Sequence, residues 1–251
     1  MRLLAASIVP AAAPASGHVA PVAAEDRARV GIVIAAYQEA AAIGAVVDGL
    51  RRAGWTRVVV VDDGSDDATS VRAREAGAIV ARHLINRGQG AALQTGIQVA
   101  LRLGVPAIAT FDADGQHRVQ DLDALVGPVL RGEVDAALGS RFLGHQDAIP
   151  PARRLLLRAA RLFTLLTSGV RLTDVHNGLR AISARMAAQI DLRMDRMAHA
   201  SEIIDQITSM GLPWREVSVR VEYTDYSRAK GQRGSAALRV ATDYLLGRLL
   251  G

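Results

Sequence analysis

Two carboxylates one residue apart, Asp112 and Asp114, close the apolar run 107–111 and are followed at once by Gly115 and the amide of Gln116, in the stretch IATFDADGQH. A buried strand that ends this way carries acceptor oxygens out at its carboxyl end, the edge where open α/β sheets bind ligands. Two carboxylates on one short turn repel each other unless a cation sits between them. Hard divalent ions such as Mg²⁺ or Mn²⁺ take oxygen ligands of this kind, from one or two carboxylates together with substrate phosphates. The plainer reading is a strand-to-helix turn whose Asp side chains cap a helix beginning near Val119. A bare D-x-D is common, so the pair alone favours the capping turn. The elements around it decide.

Residues 30–36 (VGIVIAA) form a short continuous apolar run, the pattern of a strand buried on both faces. Tyr37 and Glu39 follow, then an amphipathic helix to about Arg52, stopped by Gly54. Residues 57–61 (RVVVV) predict a second buried strand, ending in Asp62, Asp63, Gly64 and Ser65; Asp66 is expected to cap a helix to Ala76. A weaker strand spans 78–81. The loop Asn86-Arg87-Gly88-Gln89-Gly90 opens a helix through Leu103, and the fourth strand carries Asp112. This alternation predicts a largely parallel, doubly wound α/β sheet. Three strand ends, bearing Tyr37/Glu39, Asp62/Asp63 and Asp112/Asp114, then share one edge. Asp63 or its neighbour is placed there to accept from a base N–H or a ribose hydroxyl, with Gly64 allowing close backbone approach. The loop 86–90 is suited to wrapping a diphosphate with its N–H groups. It is not a Walker A loop, for it lacks the Gly-Lys-Ser/Thr ending.

The chain has 251 residues, room for one sizeable α/β domain with an appendage. It has no cysteine, which excludes disulfides and thiolate metal sites. A net charge of +5 and a pI near 10.3 favour anionic partners, whether nucleotide phosphates, lipid phosphates or an acidic membrane surface. With 4% aromatics and no basic run, nucleic acid is not expected. Residues 1–26, Ala- and Pro-rich, read as a disordered tail; Pro10 and Pro14 interrupt the stretch a signal peptide would need. No apolar run reaches the roughly 18 residues of a membrane span.

Beyond a fifth strand at 136–138 the character changes. Pro150 and Pro151 break the chain, and 153–168 reads as a helix bearing Arg153, Arg154, Arg158 and Arg161 on a leucine-rich background. Such a helix suits an anionic membrane surface, or is a surface helix whose arginines shield its apolar side. A helix opens at His199 and runs to Met210, and Val217, Val219 and Val221 alternate as a half-exposed strand. Lys230, the single lysine among 30 Lys and Arg residues, lies in the polar loop 223–232. Residues 236–250 form an amphipathic helix fit to dock on the domain, a membrane or a membrane-protein partner. The six histidines show no zinc-type pairing, and His117 is expected at the surface beside the site.

Taken in order, AAYQEA, VVVDDGSDD, NRGQGAAL, FDADGQH and LGSRF resemble the nucleotide-sugar half of family 2 glycosyltransferases with the GT-A fold, across residues 30–142. Two positions depart from that pattern: Ala36 replaces a usual proline, and Gln89 a common lysine, which moves phosphate contact to Arg87. The resemblance implies an α/β, Rossmann-like, mostly parallel sheet flanked by helices, with C-terminal acceptor-side elements. The domain would span 27–233, a donor half at 30–142 and an acceptor half at 143–233, followed by the helix within 234–251. By resemblance, Ala36, Tyr37, Glu39, Asp63, Gly64, Asn86, Arg87, Gly88, Asp112 and Ala113 bind the nucleotide-sugar donor. Asp112, Asp114 and Gln116 would hold Mg²⁺ or Mn²⁺, and Asp114, Arg141, Arg228 and Lys230 would stabilise the leaving diphosphate. The segment 173–180 (TDVHNGLR) resembles the T-D-x-x-x-G-x-R of dolichyl- and polyprenyl-phosphate hexose synthases, which puts Asn177 and Arg180 on the acceptor side, with Glu202 beyond them. Loop 223–232 resembles the flexible loop that closes over the donor diphosphate.

A hydroxyl acceptor needs a general base, commonly an adjacent Glu-Asp in this family's hydroxyl-directed members. No such pair follows residue 140, where the candidates are the separate Asp195 and Glu202. A polyprenyl phosphate is already ionised and needs none. The expectation is therefore an inverting, metal-dependent hexosyltransferase acting on a polyprenyl phosphate from the cytoplasmic side, at the inner face of the membrane. The rivals are transfer to a sugar hydroxyl of a cell-envelope glycan, a non-catalytic nucleotide-sugar module, and a haloacid-dehalogenase-type phosphohydrolase, which needs its D-x-D on the first strand. Nothing in the residues separates UDP-glucose from GDP-mannose or indicates an oligomeric state.

Overall fold

A computed structural model describes residues 20–143, 172–175, 177–194 and 199–222. Residues 1–19, the basic helix expected at 153–168, Asp195, the loop 223–232 with Arg228 and Lys230, and the helix at 236–250 lie outside the described residues.

The elements are α1 (Ala24–Arg27), β1 (Gly31–Ala36), α2 (Ile43–Arg52), β2 (Arg57–Asp62), α3 (Thr69–Glu75), β3 (Ile79–Arg82), α4 (Gln89–Arg102) and β4 (Ala107–Thr110). They continue with α5 (Leu122–Leu130), β5 (Ala136–Ser140), β6 (Arg180–Ser183), α6 (Ala184–Ala187), α7 (His199–Ser209) and β7 (Trp214–Ser218). One seven-stranded sheet runs β3-β2-β1-β4-β6-β5-β7. Its pairings are parallel except at β6, which is antiparallel to both β4 and β5.

The unbroken VVVV of β2 follows from helices covering both faces. Val58 and Val60 belong, with Ile32 and Ile34, to one core cluster that includes Ile43, Val47 and Leu50 of α2 and Leu122, Leu125 and Val126 of α5. Val59 and Val61 belong, with Val33, to the other core cluster, which includes Ala92, Leu93 and Ile97 of α4 and Ile203, Ile204 and Ile207 of α7. The α4 helix lies close because Gly96 carries no side chain: a Cβ there would come within 2.3 Å of Val33 Cγ1. That approach brings the start of α4 beside the ends of β1 and β2.

Several expectations change. Residues 22–26, expected in the tail, are part of the fold: Val22 is buried in the core, α1 makes one turn, and Arg27 forks onto Asp123 at 2.6 and 3.1 Å. Asp66 does not cap α3; it accepts from Gln38 Nε2, while Asp67 accepts from the N–H of Thr69. β7 begins at Trp214, earlier than the Val217/Val219/Val221 alternation suggests, because it pairs with β5 from Ala136 onward. Val221 instead bridges to His117. β6 begins at Arg180, the last residue of a segment read only as an acceptor motif, and no strand was expected there. The D-x-D strand is central and fourth in the chain, not first. Among the described residues no helix is long and apolar enough to cross a membrane.

Candidate active site

The carboxyl ends of β1, β2 and β4 meet as their parallel register requires, Ala36 opposite Asp62 and Val33 opposite Thr110. The Asp63 N–H donates to Ala36 O at 2.8 Å, which seats the second strand end against the first. Glu39 is buried, its N–H donating to Thr69 Oγ1 at 2.8 Å, and Tyr37 is exposed at the rim. Gln38 adopts a φ of 55°, held by Ser65 Oγ and by Asp66. Gly64 has a φ of 77°, and a Cβ there would lie 2.6 Å from the carbonyl carbon of Ile85 and 2.8 Å from Asn86 N. Only glycine lets the turn after β2 pass beneath the loop after β3.

Asp63 is spent largely on that loop. Its Oδ1 accepts from the Arg87 N–H (3.0 Å) and pairs with His83 Nδ1 (2.7 Å); its Oδ2 accepts from the Gly88 N–H (2.6 Å). His83 in turn reaches Thr95 Oγ1 of α4 at 3.0 Å. Gly88, at φ 99°, precedes α4, whose start has no side-chain cap. Such an uncapped first turn is of the kind that binds anions.

The two D-x-D carboxylates have different surroundings. The Asp112 side chain is 33% exposed and its Oδ2 lies 2.8 Å from His117 Nε2. Burial pushes Asp112 upward, but the charges of His117, Arg180 and His199 outweigh it and hold the group below the ordinary aspartate value. Asp114 goes the other way: burial raises it, the N–H of Gln116 offsets part of that, and Asp112 and Glu39 push it further up. Ala113 between them is buried. A carboxylate disfavoured by burial and by acidic neighbours is one that an added cation would return to its ionised form. Among the described residues no three His, Cys, Asp or Glu side chains form a metal cluster. The two carboxylates, one residue apart with Gln116 next in sequence, would suit a Mg²⁺- or Mn²⁺-type ion completed by substrate oxygens.

His117 is a correction. It is buried, its ring edge-on to Phe111 at 5.4 Å, and among the described residues its Nδ1 is buried without a partner. The polar run Gln-His-Arg reads as a surface turn, but the Val221 bridge covers it and the Glu222 N–H donates to Gln116 O.

The acceptor motif lies against this pair. Thr110 Oγ1 donates to Gly178 O at 2.5 Å, and Gly178 rests directly on Asp112. Asn177 is buried, its Oδ1 accepting from the Leu179 N–H. Arg180 is 3% exposed, in register with Thr110 and Leu138, and in the field of Asp112 and Asp174; burial pulls its guanidinium down to about 10. Arg141 does not face open space: its Nε and Nη2 fork onto Asp174 at 2.7 and 2.8 Å. Glu202 gives each oxygen to a main-chain N–H, Arg193 and Met194, both at 2.9 Å. Met194 O abuts the start of α4, 2.0 Å from where a Cβ on Gly90 would sit.

Asp174, His83 and Glu216 were not singled out from the sequence. Asp174 stands inside the T-D-x-x-x-G-x-R stretch, so a signal existed; His83 and Glu216, which accepts from the N–H groups of Thr173 and Asp174, carried none. Burial raises Asp174, but the Arg141 fork holds it below its ordinary 3.8. Its contribution to stability is therefore complete above that ordinary value and is lost as pH falls through the lower folded value. Asp174→Asn should cost about 3 kcal/mol, since it leaves a mostly buried guanidinium without its partner, and should flatten the acid limb of stability. Urea midpoints between pH 3 and 7 measure both; an unchanged acid limb would contradict the assignment.

The match to the Glycosyl transferase family 2 model covers residues 31–188. An uncharacterized protein of Methanocaldococcus jannaschii is 41% identical over 204 residues, 80% of this chain and 84% of that protein. The UDP-N-acetylglucosamine–dolichyl-phosphate N-acetylglucosaminyltransferase of Methanococcus voltae is 30% identical, over 80% of this chain and 88% of its own. The polyprenol monophosphomannose synthase of Mycolicibacterium smegmatis is 31% identical, over 79% and 76%. Among solved structures, glucosyl-3-phosphoglycerate synthase from Mycobacterium tuberculosis, in complex with Mn²⁺, UDP-glucose and phosphoglyceric acid, superposes with a TM-score of 0.67. It is 18% identical and covers 88% of this chain and 80% of that one, a likeness of fold.

Proposed function

The chain belongs to glycosyl transferase family 2, and from that premise we propose that it moves a hexose, with inversion, from a nucleotide-diphosphate sugar to a polyprenyl phosphate. The observation that carries this reading is the meeting of Asp63, Asp112, Asp114 and the uncapped start of α4 on one sheet edge. There the N–H groups of α4 receive the diphosphate, and the rim formed by Ala36, Tyr37, Glu39 and Gly64 borders the nucleoside. Asn86 and Arg87 close the loop side. Mg²⁺ or Mn²⁺ held by Asp112, Asp114 and Gln116 would supply charge neutralisation at the leaving diphosphate. By the sequence resemblance, Arg228 and Lys230 would add to it.

Two observations support that acceptor. Among the described residues Glu202 is the carboxylate suggested as a base, and both its oxygens already accept main-chain N–H groups. An ionised phosphate oxygen attacks the anomeric carbon without proton removal, and the departing diphosphate takes the bonding electron pair. Named relatives act on dolichyl and polyprenyl substrates, which supports the same acceptor. We assign Asn177 and Arg180 to that side, Arg180 standing in the field of Asp112. A lipid acceptor puts the protein at a membrane surface, peripherally at the inner face, with or without a small membrane-protein partner. Purified protein with membranes, Mn²⁺ and labelled nucleotide sugars should yield an acid-labile glycolipid; label entering only polysaccharide would overturn the acceptor.

A further inference from the structure

We propose that His83 sets the nucleobase specificity of the donor site by occupying an acceptor position on Asp63, so that the site takes a base with one ring N–H, uracil or thymine, and rejects guanine. This rests on the nucleotide-sugar reading of the same site.

A carboxylate offers about four acceptor positions, two on each oxygen. Asp63 Oδ1 has both filled, by the Arg87 N–H at 3.0 Å and by His83 Nδ1 at 2.7 Å. Oδ2 has one filled, by the Gly88 N–H at 2.6 Å. The carboxylate can only accept, so His83 donates from Nδ1, and its Nε2 then accepts from the Thr95 hydroxyl at 3.0 Å. Thr95 belongs to α4, whose glycine at 96 packs against β1, so the imidazole is held from the core side and cannot swing away. The Asp63 side chain keeps only 4% of its exposure and that of His83 only 10%. Among the described residues one acceptor position, on Oδ2, is left without a partner.

Each base meets that single position differently. Uracil and thymine present one imide N–H and satisfy it. Guanine presents N1–H and N2–H side by side, a pair that needs both carboxylate oxygens, so one donor would be desolvated without a partner. Such a loss is worth on the order of tenfold or more in affinity. Cytosine and adenine set a bare ring nitrogen against the carboxylate and are repelled. His83 is thus a positioning residue, acting on the base through Asp63.

The test is calorimetric binding of UDP, dTDP and GDP to the full-length protein with Mn²⁺. UDP and dTDP should bind about tenfold or more tighter than GDP. His83→Phe removes the Nδ1 donor, frees Oδ1 and should shrink the UDP-to-GDP ratio by a similar factor. His83→Asn, whose side-chain amide can donate to the same oxygen, should restore most of it. Equal or tighter GDP binding by the unaltered protein, which needs no variant to fold, would overturn the proposal. So would an unchanged ratio in a folded His83→Phe protein. Failure of all three nucleotides to bind would be a different result, sinking the donor reading itself.

Discussion

Asp114→Ala should lower transfer by at least about 100-fold, the scale of losing one electrostatic stabiliser in a sheltered site, and should remove the dependence on Mn²⁺ with it. The surroundings of Asp114 show why the fold need not suffer. The hydrogen bond it accepts, from the Gln116 N–H at 3.0 Å, is local, while burial, Asp112 and Glu39 all disfavour its charge. Removing that charge relieves repulsion in the protein without metal, so the melting midpoint should stay level or rise. Activity and stability then move in opposite directions, the mark of a group kept for function. Added Mn²⁺ should raise the midpoint of the parent protein and not that of the variant. Undiminished transfer by Asp114→Ala would refute the metal role.

Gly178→Ala should damage both. A Cβ at 178 would lie 2.4 Å from Asp112 Oδ1, 2.6 Å from Oδ2 and 2.8 Å from Cγ, closer than such contacts allow. Asp112 cannot simply retreat, because His117 Nε2 holds its Oδ2 at 2.8 Å and the His117 ring is itself buried against Phe111. Either the carboxylate rotates off His117 or the chain entering β6 moves away, breaking the Thr110 contact to Gly178 O. Overpacking of this kind costs about 1–3 kcal/mol, and a displacement near 1 Å at a reacting centre costs about 100-fold in rate. Kinetics at saturating Mn²⁺ and urea midpoints measure the two effects. A variant with parental activity would show that Asp112 does not need its present position.

The donor edge was legible because its signals are local. Apolar runs at 30–36 and 57–61, each ending in polar residues, read directly as buried strands, and β1 and β2 are where those runs lie. Asn86 to Gly90 likewise marked the start of α4. Other features depended on partners distant in sequence. Asp63 read as a free acceptor, since nothing nearby announces that His83 and the 87–88 N–H groups converge on it. His117 read as a surface residue because Val221, which bridges to it, lies a hundred residues on.

The first five strands, the helices α2, α3 and α4 between them and the acidic turn at Asp112 and Asp114 were determined by the sequence, through periodicity and punctuation that act within a few residues. The tertiary structure decided what those carboxylates touch. β6, four residues long and antiparallel, inserts between β4 and β5 and carries Gly178 and Arg180 to Asp112. A strand so short holds too little pattern to reveal its neighbours, since its place is set by pairing and burial against the completed sheet. The same placement joins Arg141 to Asp174 and gives the two D-x-D carboxylates opposite electrostatic surroundings.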